Sequence, residues 1–236
     1  MPRVYNNFCG MLLVDKPSGI TSFKIVSLIR HKLKVKKVGH CGTLDPLATG
    51  LLIILVGAAT KLQDGFMKQD KVYTATLKLG LTTDTGDTDG AIIACVKPNV
   101  TIEQLSIAAK KFTGTINQIP PMYSALKVNG KKLYELARQG ITVERKSRSV
   151  TIRNIDILSE LNSFDGQNAQ LRVDCSSGTY IRTLAEDIGK ELGCGAAISA
   201  LRRESIGSFS VESALIYDDI MSLSVDELAQ KLTPVY

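Results

Sequence analysis

The sequence has few of the residues that metal sites and disulfide frameworks require. It contains two histidines, and its five cysteines are an odd number, widely spaced and without a Cys-x-x-Cys pair. Structural zinc sites need clustered Cys and His ligands, whereas disulfide-stapled chains need paired cysteines. We therefore expect no metal site, and reduced thiols in a reducing compartment.

Long apolar segments and nucleotide-binding motifs are also missing. No run approaches the ~18 apolar residues that a membrane helix needs, and the N-terminus lacks the pattern of a signal peptide. Neither Gly-x-Gly-x-x-Gly nor a phosphate-binding loop occurs, so a nucleotide cofactor is not indicated. We expect a soluble, cytoplasmic and monomeric protein that uses no cofactor and no membrane.

The charge balance is modestly basic. The 236 residues carry 29 Lys and Arg against 23 Asp and Glu, a net charge of +6. This excess suits a polyanionic partner, although an ordinary solvated surface accounts for it equally well. One basic stretch is interrupted by Tyr123 and Tyr134, which suits RNA backbone contact and base stacking, or else a solvated hairpin face. Its cations are Lys127, Lys131, Lys132, Arg138, Arg145, Lys146 and Arg148.

Hydrophobic periodicity predicts an α+β fold with a mixed, largely antiparallel sheet flanked by helices and loops. We expect one domain over residues 1–236, with a small inserted basic hairpin and helix near 120–150. Ile92–Val96 is expected to pair with the strand from Tyr73. Predicted strands are Met11–Val14, Leu51–Val56, Tyr73–Leu79, Ile92–Val96, Val150–Leu158 and Ala169–Cys175. Helices are predicted after a cap at Thr21 or Ser22, after the capping-box spacing Thr101–Gln104 and after a cap at Ser224; another is predicted over Tyr180–Leu192, and another ends at Gly140.

The most informative segment, Gly39 to Gly50, reads Gly-His-Cys-Gly-Thr-Leu-Asp-Pro-Leu-Ala-Thr-Gly. Pro46 excludes the right-handed helical conformation from Asp45 and fixes the turn that presents it. A rigid turn against a buried strand gives a reactive side chain a firm base. An isolated Asp-Pro pair would indicate an ordinary turn, but His40 and the neighbouring glycines favour a reactive carboxylate.

Two further segments carry charges that need an explanation. Thr83 to Gly90 holds three carboxylates within six residues, but a calcium loop would require acids where Thr85 and Val96 stand. Arg182 lies in the first turn of a predicted helix, where a cation opposes the helix dipole. Such an arginine often binds a carboxylate or a phosphate, and a plain surface arginine is the equal alternative.

Seven segments, in chain order, together resemble the TruB family of tRNA pseudouridine synthases. Any one of them could occur by chance, but seven in register through most of the chain form a highly specific signal. They are Leu13-Val-Asp-Lys-Pro-Ser-Gly19, Gly39–Gly50, Lys71-Val-Tyr73, Thr83–Gly90, Pro121-Met-Tyr-Ser-Ala-Leu-Lys127, Ser177-Gly-Thr-Tyr-Ile-Arg-Thr183 and Leu201-Arg-Arg203.

The resemblance implies an isomerase that converts uridine 55 in the T-loop of tRNA to pseudouridine without metal or cofactor. By resemblance, Asp45 is the essential carboxylate, Tyr73 lies against the target base, Arg182 pairs with Asp45, and Asp87 helps to hold that arginine. Residues implied in substrate binding are His40, Asp87, Tyr180, Leu201 and Lys16. Many bacterial relatives continue into an RNA-binding PUA domain, and we expect none in this chain.

Two other classes of function stay open. The chain could be a non-catalytic RNA-binding or RNA-folding module on the same scaffold, although mere binding would not require Asp45, Tyr73 and Arg182 together. It could also be a nucleoside-releasing glycosidase, but such hydrolysis usually needs two carboxylates flanking the bond. The resemblance offers Asp87 as an arginine holder rather than as that second acid.

Overall fold

The structure is a computed structural model that describes residues 5–128, 130–158, 161 and 167–235. The chain divides into two compact units, Met1–Lys71 with Arg202–Tyr236 and Val72–Leu201. The single-domain organisation expected from the sequence stays a prediction. Within the described ranges, no helix is long and apolar enough to cross a membrane.

The first unit is built around one strand that is buried on both faces. Leu51 to Val56 are fully buried. Leu52, Ile54 and Val56 pack in the core that includes the first helix, and the alternate residues pack in a second core with Met11 and Ile206. The first elements of the chain are β1 (Gly10–Lys16), α1 (Ser22–Leu33), β2 (Val38–His40), β3 (Thr49–Val56) and α2 (Gln63–Met67).

Local sequence signals explain where α1 begins and ends. The Thr21 hydroxyl accepts a hydrogen bond from the Lys24 amide at 3.2 Å, and Lys34 adopts the left-handed conformation at the other end. Ile25, Ile29 and Leu33 are buried, as their spacing predicts. β1 and β2 both pair with β3 in antiparallel register.

Among its described residues, the second unit contains three helices and most of the remaining strands. The antiparallel pairs β7–β10, β10–β11, β5–β6 and β8–β9 lie within it. Its elements are β4 (Lys71–Leu79), β5 (Leu81–Thr83), β6 (Ile92–Cys95), α3 (Ile102–Lys110), β7 (Gly114–Gln118), β8 (Lys127–Val128), β9 (Lys131–Lys132), α4 (Leu133–Ala137), β10 (Arg148–Ile157), β11 (Asn168–Cys175), α5 (Ile181–Glu191) and the beginning of β12 (Ala196–Ile206).

The chain then returns to the first unit. β12 pairs there with β3 in parallel, Arg202 opposite Thr49. The elements after it are β13 (Phe209–Ser210), β14 (Leu215–Ile216), α6 (Tyr217–Ser222) and α7 (Val225–Gln230). In each unit helices flank largely antiparallel strands, so the predicted α+β class is confirmed.

One predicted strand pairing was wrong. Ile92–Cys95 pairs with β5 rather than with the strand that carries Tyr73. Gly80, at a φ of +81°, separates β4 from β5. The expected basic hairpin and helix are β8, β9 and α4. Asn129 of the predicted hairpin turn, and the predicted Asp165-Gly166 connection, lie outside the described residues.

Candidate functional site

The Asp45 loop, residues 41–48, connects β2 to β3 and is anchored to the buried strand. The Cys41 amide donates to the Ile53 carbonyl at 2.9 Å, and the Ala48 amide donates to the Asp45 carbonyl at 3.1 Å. The Asp45 side chain is half-buried at the turn between these anchors. The backbone on either side of the carboxylate is therefore held in place.

The turn after β1 and the start of α1 hold the loop from another direction. Ser22 Oγ accepts from the Leu44 amide at 2.9 Å and donates to the Leu44 carbonyl at 3.1 Å. The Gly19 amide donates to the Pro46 carbonyl at 2.9 Å, and Ser18 Oγ donates to the Leu47 carbonyl at 3.0 Å. Residues on both sides of Asp45 thus have partners outside the loop.

Lys16 is a buried cation beside Asp45. Its side chain is fully buried, and Nζ donates to the carbonyls of Pro17 at 2.8 Å, Ile20 at 2.8 Å and Pro46 at 3.3 Å. Burial lowers the pKa of Lys16 from 10.5 to about 8; the Asp45 charge opposes this shift and the Arg203 charge adds to it. All three ammonium donors are used within the protein, so the role of Lys16 in substrate binding stays a prediction.

Arg203 is a second buried cation, and the sequence did not predict its position. It is 1 % exposed; Nε donates to the Leu51 carbonyl at 2.7 Å and Nη2 to the Gly42 carbonyl at 3.0 Å. Two adjacent arginines in a sequence favour an exposed, cationic segment. The structure instead buries Arg203, and it pairs half-exposed Arg202 with Asp15 through two bonds of 3.1 and 2.7 Å.

The remaining first-unit residues of interest follow from the strands. His40, the last residue of β2, lies opposite Ile54 and is half-buried. Burial raises the pKa of the Cys41 thiol to about 12, so this cysteine stays neutral. A neutral, buried thiol is a poor nucleophile.

In the second unit, Arg182 occupies the first turn of α5 and is 6 % exposed. Its guanidinium donates to the Thr85 carbonyl at 2.8 Å and to the Tyr123 carbonyl at 2.6 Å, and it lies 3.5 Å from Asp87 Oδ2. The Arg182–Asp87 pairing that the resemblance implied is therefore present. A buried arginine in this position satisfies carbonyls of two loops at once.

Asp87 in turn is fixed by its own loop. Its Oδ1 accepts from Thr85 Oγ1 at 2.6 Å and from the Asp89 amide at 3.2 Å, while the Asp84 carboxylate accepts from the Ala91 amide at 2.7 Å. Asp84 and Asp87, two of the three carboxylates in this segment, therefore stabilise the turn through hydrogen bonds. Asp87 also faces Arg182.

Gln118 is a positioning residue that sequence reasoning missed. Gln118 is 2 % exposed and lies at the end of β7. Its side-chain amide forms hydrogen bonds with the backbone of Tyr180, the residue that precedes α5. Gln118 Oε1 accepts from the Tyr180 amide at 3.0 Å, and Nε2 donates to the Tyr180 carbonyl at 3.3 Å. This two-point contact sets the start of the helix that carries Arg182.

Tyr73 and Leu201 are both buried residues of strands in the second unit, 7 % and 8 % exposed. Of the predicted site residues, the first unit brings Lys16 and Asp45 together. The second unit brings Arg182 and Asp87 together and anchors the backbone of Tyr180 nearby in sequence.

Comparison with protein families matches two consecutive segments of the chain, residues 30–181 and 182–235, to one family. Residues 30–181 match the N-terminal domain of the TruB family of pseudouridylate synthases. Residues 182–235 match the C-terminal domain of tRNA pseudouridylate synthase B.

Curated relatives agree with this match. The chain is 54% identical to tRNA pseudouridine synthase B of Endomicrobium trichonymphae, over 100% of both chains. It is 48% identical to the protein of that name from Dechloromonas aromatica, covering 99% of this chain and 77% of the relative. The corresponding protein of Bordetella pertussis is 45% identical, with 95% of each chain covered.

Solved structures give the same fold. A chain in a crystal structure of a Cbf5-Nop10-Gar1 complex has a TM-score of 0.72 and 28% identity, covering 97% of this chain and 60% of that chain. A chain in the structure of an H/ACA RNP bound to a substrate RNA containing 2'-deoxyuridine has a TM-score of 0.64 and 28% identity, with 89% and 51% covered.

Replacement of Lys16 by methionine tests the buried ammonium. Lys16→Met should lower the free energy of unfolding at pH 7, because three carbonyls lose their donor. Since the folded-state pKa of about 8 lies below the ordinary 10.5, the unfolded chain binds more protons between these pH values. The stability of the natural protein relative to Lys16→Met should therefore rise over this range by about 2–3 kcal/mol.

Urea unfolding of both proteins at several pH values from 7 to 10.5 measures this difference. Titration of Cys41 is common to both and cancels. A difference that stays constant over this range would contradict a buried, proton-shedding Lys16.

Replacement of Gln118 by glutamate tests the grip on Tyr180. A protonated carboxyl group at this position can both accept and donate as the amide does, whereas a carboxylate only accepts. Burial favours the neutral acid, so the stability deficit of Gln118→Glu should be small near pH 4 and grow as the pH rises above about 4.3.

The matched variants are Gln118→Leu, expected to be destabilised at every pH, and exposed Gln139→Glu, expected to show no such trend. Urea unfolding between pH 4 and 8 provides the readout. Parallel pH curves for Gln118→Glu and Gln139→Glu would rule out the two-point contact.

Proposed function

Because the chain belongs to the TruB family of pseudouridylate synthases, we propose that it converts uridine to pseudouridine in tRNA, at position 55 of the T-loop. The observation that carries the proposal is the fixed backbone of the Asp45 turn, which forms hydrogen bonds with the side chains of Lys16, Ser22 and Arg203. A module that only binds RNA needs no such constraint on a single carboxylate.

The chemistry requires the glycosidic bond to nitrogen to break and the uracil to rejoin the ribose through carbon. An ionised carboxylate can capture or stabilise the sugar, or add to the uracil ring, and we assign this role to Asp45. The neighbouring Lys16 charge stabilises negative charge on Asp45. No atom is gained or lost overall, since the product is an isomer of the substrate.

The other assignments belong to the same proposal. Arg182, held by two carbonyls and Asp87, would be the cation partner of Asp45 that the resemblance implies. Tyr73, His40, Tyr180 and Leu201 would surround the flipped nucleotide, whose unstacking costs a few kcal/mol. We further propose that the protein acts as a monomer in the cytoplasm, where its tRNA substrate would be modified.

Incubation of the purified chain with an unmodified tRNA transcript, followed by mapping of pseudouridine at nucleotide resolution, tests the proposal directly. We expect product at position 55 and nowhere else. Product at another position would overturn the substrate assignment, and tight binding without product would favour the RNA-binding module.

Asp45→Asn should reduce turnover to below about one-thousandth while leaving folding and tRNA affinity nearly intact. The amide keeps the shape of the side chain and the backbone carbonyl that Ala48 binds, but it removes the negative charge. Asp64→Asn, at an exposed position of the same unit, is the matched control. For each variant, the single-turnover rate and the tRNA affinity are measured on the same preparation. If the two variants were equally active, Asp45 would be excluded from the chemistry.

Arg182→Lys keeps the cation but loses the planar fork that reaches the Thr85 and Tyr123 carbonyls together. We expect a loss of rate of about 100-fold or more, with affinity for tRNA changed only a few-fold. Arg172→Lys, exposed on β11, provides the control. Nearly full activity in Arg182→Lys would show that a point charge is sufficient at this position.

A further inference from the structure

We propose that a groove at the end of β3 farthest from Asp45 binds phosphates of the substrate RNA, with Lys36 and Lys37 as the phosphate ligands. The inference rests on the proposed function and adds a second contact with the same substrate. The groove has a volume of about 440 Å³ and is lined by residues 5–9, 35–37, 57 and 58.

The lining of the groove carries charge of one sign. Among the described residues, its ionised side chains are Lys36 and Lys37, both exposed, and no carboxylate lines it. In the part of the chain that the structure describes, neither lysine forms an ion pair. Both ammonium groups are therefore available to neutralise phosphates, the step that provides most of the sequence-independent affinity for nucleic acids.

An aromatic ring stands beside these cations. Tyr5 lines the groove and is 38 % exposed, and Lys36 Nζ lies 5.5 Å from the centre of its ring. An exposed aromatic next to cations suits an unpaired nucleotide, whose base can stack while its phosphate pairs with the lysines. An acidic peptide would use the lysines but gain little from the ring.

The walls of the groove are held in place before any ligand binds. Asn6 joins the N-terminal segment to the end of α1. Its backbone amide donates to the Lys34 carbonyl and its side-chain Nδ2 donates to the Leu33 carbonyl, both at 2.9 Å. The Gly57 amide donates to the Lys37 carbonyl at 2.9 Å. A preformed groove loses less conformational entropy on binding than a flexible one.

The position of the groove suits an RNA that already occupies the Asp45 loop. Thr49 begins β3 next to that loop, and Gly57 follows the last residue of the strand. At about 3.3 Å per residue, the eight residues of β3 place the groove about 25 Å from Thr49, where the strand leaves the loop, and β2 leads from Lys37 back toward the loop. Only a substrate longer than the flipped nucleotide can reach both places.

The test compares Lys36→Glu/Lys37→Glu with Lys110→Glu/Lys231→Glu in the full chain. The control pair changes the net charge equally at two exposed lysines elsewhere. We expect the groove variant to bind unmodified tRNA at least about tenfold more weakly, and its plot of log affinity against log salt concentration to be shallower by about 1–2. Turnover at saturating tRNA should be unchanged, and the control should keep the natural slope.

Further variants make each outcome decisive. Lys36→Met/Lys37→Met should reduce the slope similarly without added negative charge, and Tyr5→Ala should weaken binding where Tyr5→Phe does not. Equal slopes for the groove and control variants would overturn the proposal. It would also be overturned if the groove variant lost the binding of polyglutamate but bound tRNA as tightly as the natural protein. If the natural protein binds tRNA with this lysine dependence but forms no pseudouridine, the proposed function fails while the groove stands.

Discussion

The buried guanidinium of Arg203 is the contact on which the geometry of the Asp45 loop depends. It donates to the carbonyls of Gly42 and Leu51, on the two sides of the loop. Gly50, at a φ of +100°, allows the approach, because a Cβ there would lie 2.3 Å from the Arg203 carbonyl oxygen. A buried cation without its acceptors costs several kcal/mol, so Arg203 and the loop fix each other. Lys16 adds a second such constraint at Pro46.

The same principle organises the second unit, where a cation again satisfies loop carbonyls. Arg182 joins the acidic turn at Thr85 to the segment at Tyr123, and Asp87 balances its charge. Gln118 then sets the helix start from which Arg182 extends. In both units a residue that we propose acts on the substrate is positioned by side chains that are buried and hydrogen-bonded to the backbone. This arrangement provides the pre-organisation that catalysis requires.

Local signals predicted much of the fold. The apolar run after Gly50, the Thr21 cap and the capping box at Thr101 all form as expected. The burial of Lys16 and Arg203 was not predicted, because their acceptors are backbone carbonyls that any sequence supplies. For Arg203 those acceptors lie more than 150 residues earlier in the chain. In the strand, Leu201 and Arg203 are buried and Arg202 between them is half-exposed. The two-residue alternation of a strand could have predicted that Arg203 shares the buried face of Leu201, but two adjacent arginines favour an exposed segment.

Hydrogen exchange of the Cys41 and Ala48 amides in Arg203→Lys and Arg202→Lys tests this account most directly. Both variants lose a two-bond guanidinium contact, but only that of Arg203 reaches the Asp45 loop. We predict much faster exchange of the two loop amides in Arg203→Lys, together with a loss of turnover, and natural exchange at those amides in Arg202→Lys. Equal protection of the loop amides in the two variants would contradict the claim that Arg203 holds the Asp45 loop.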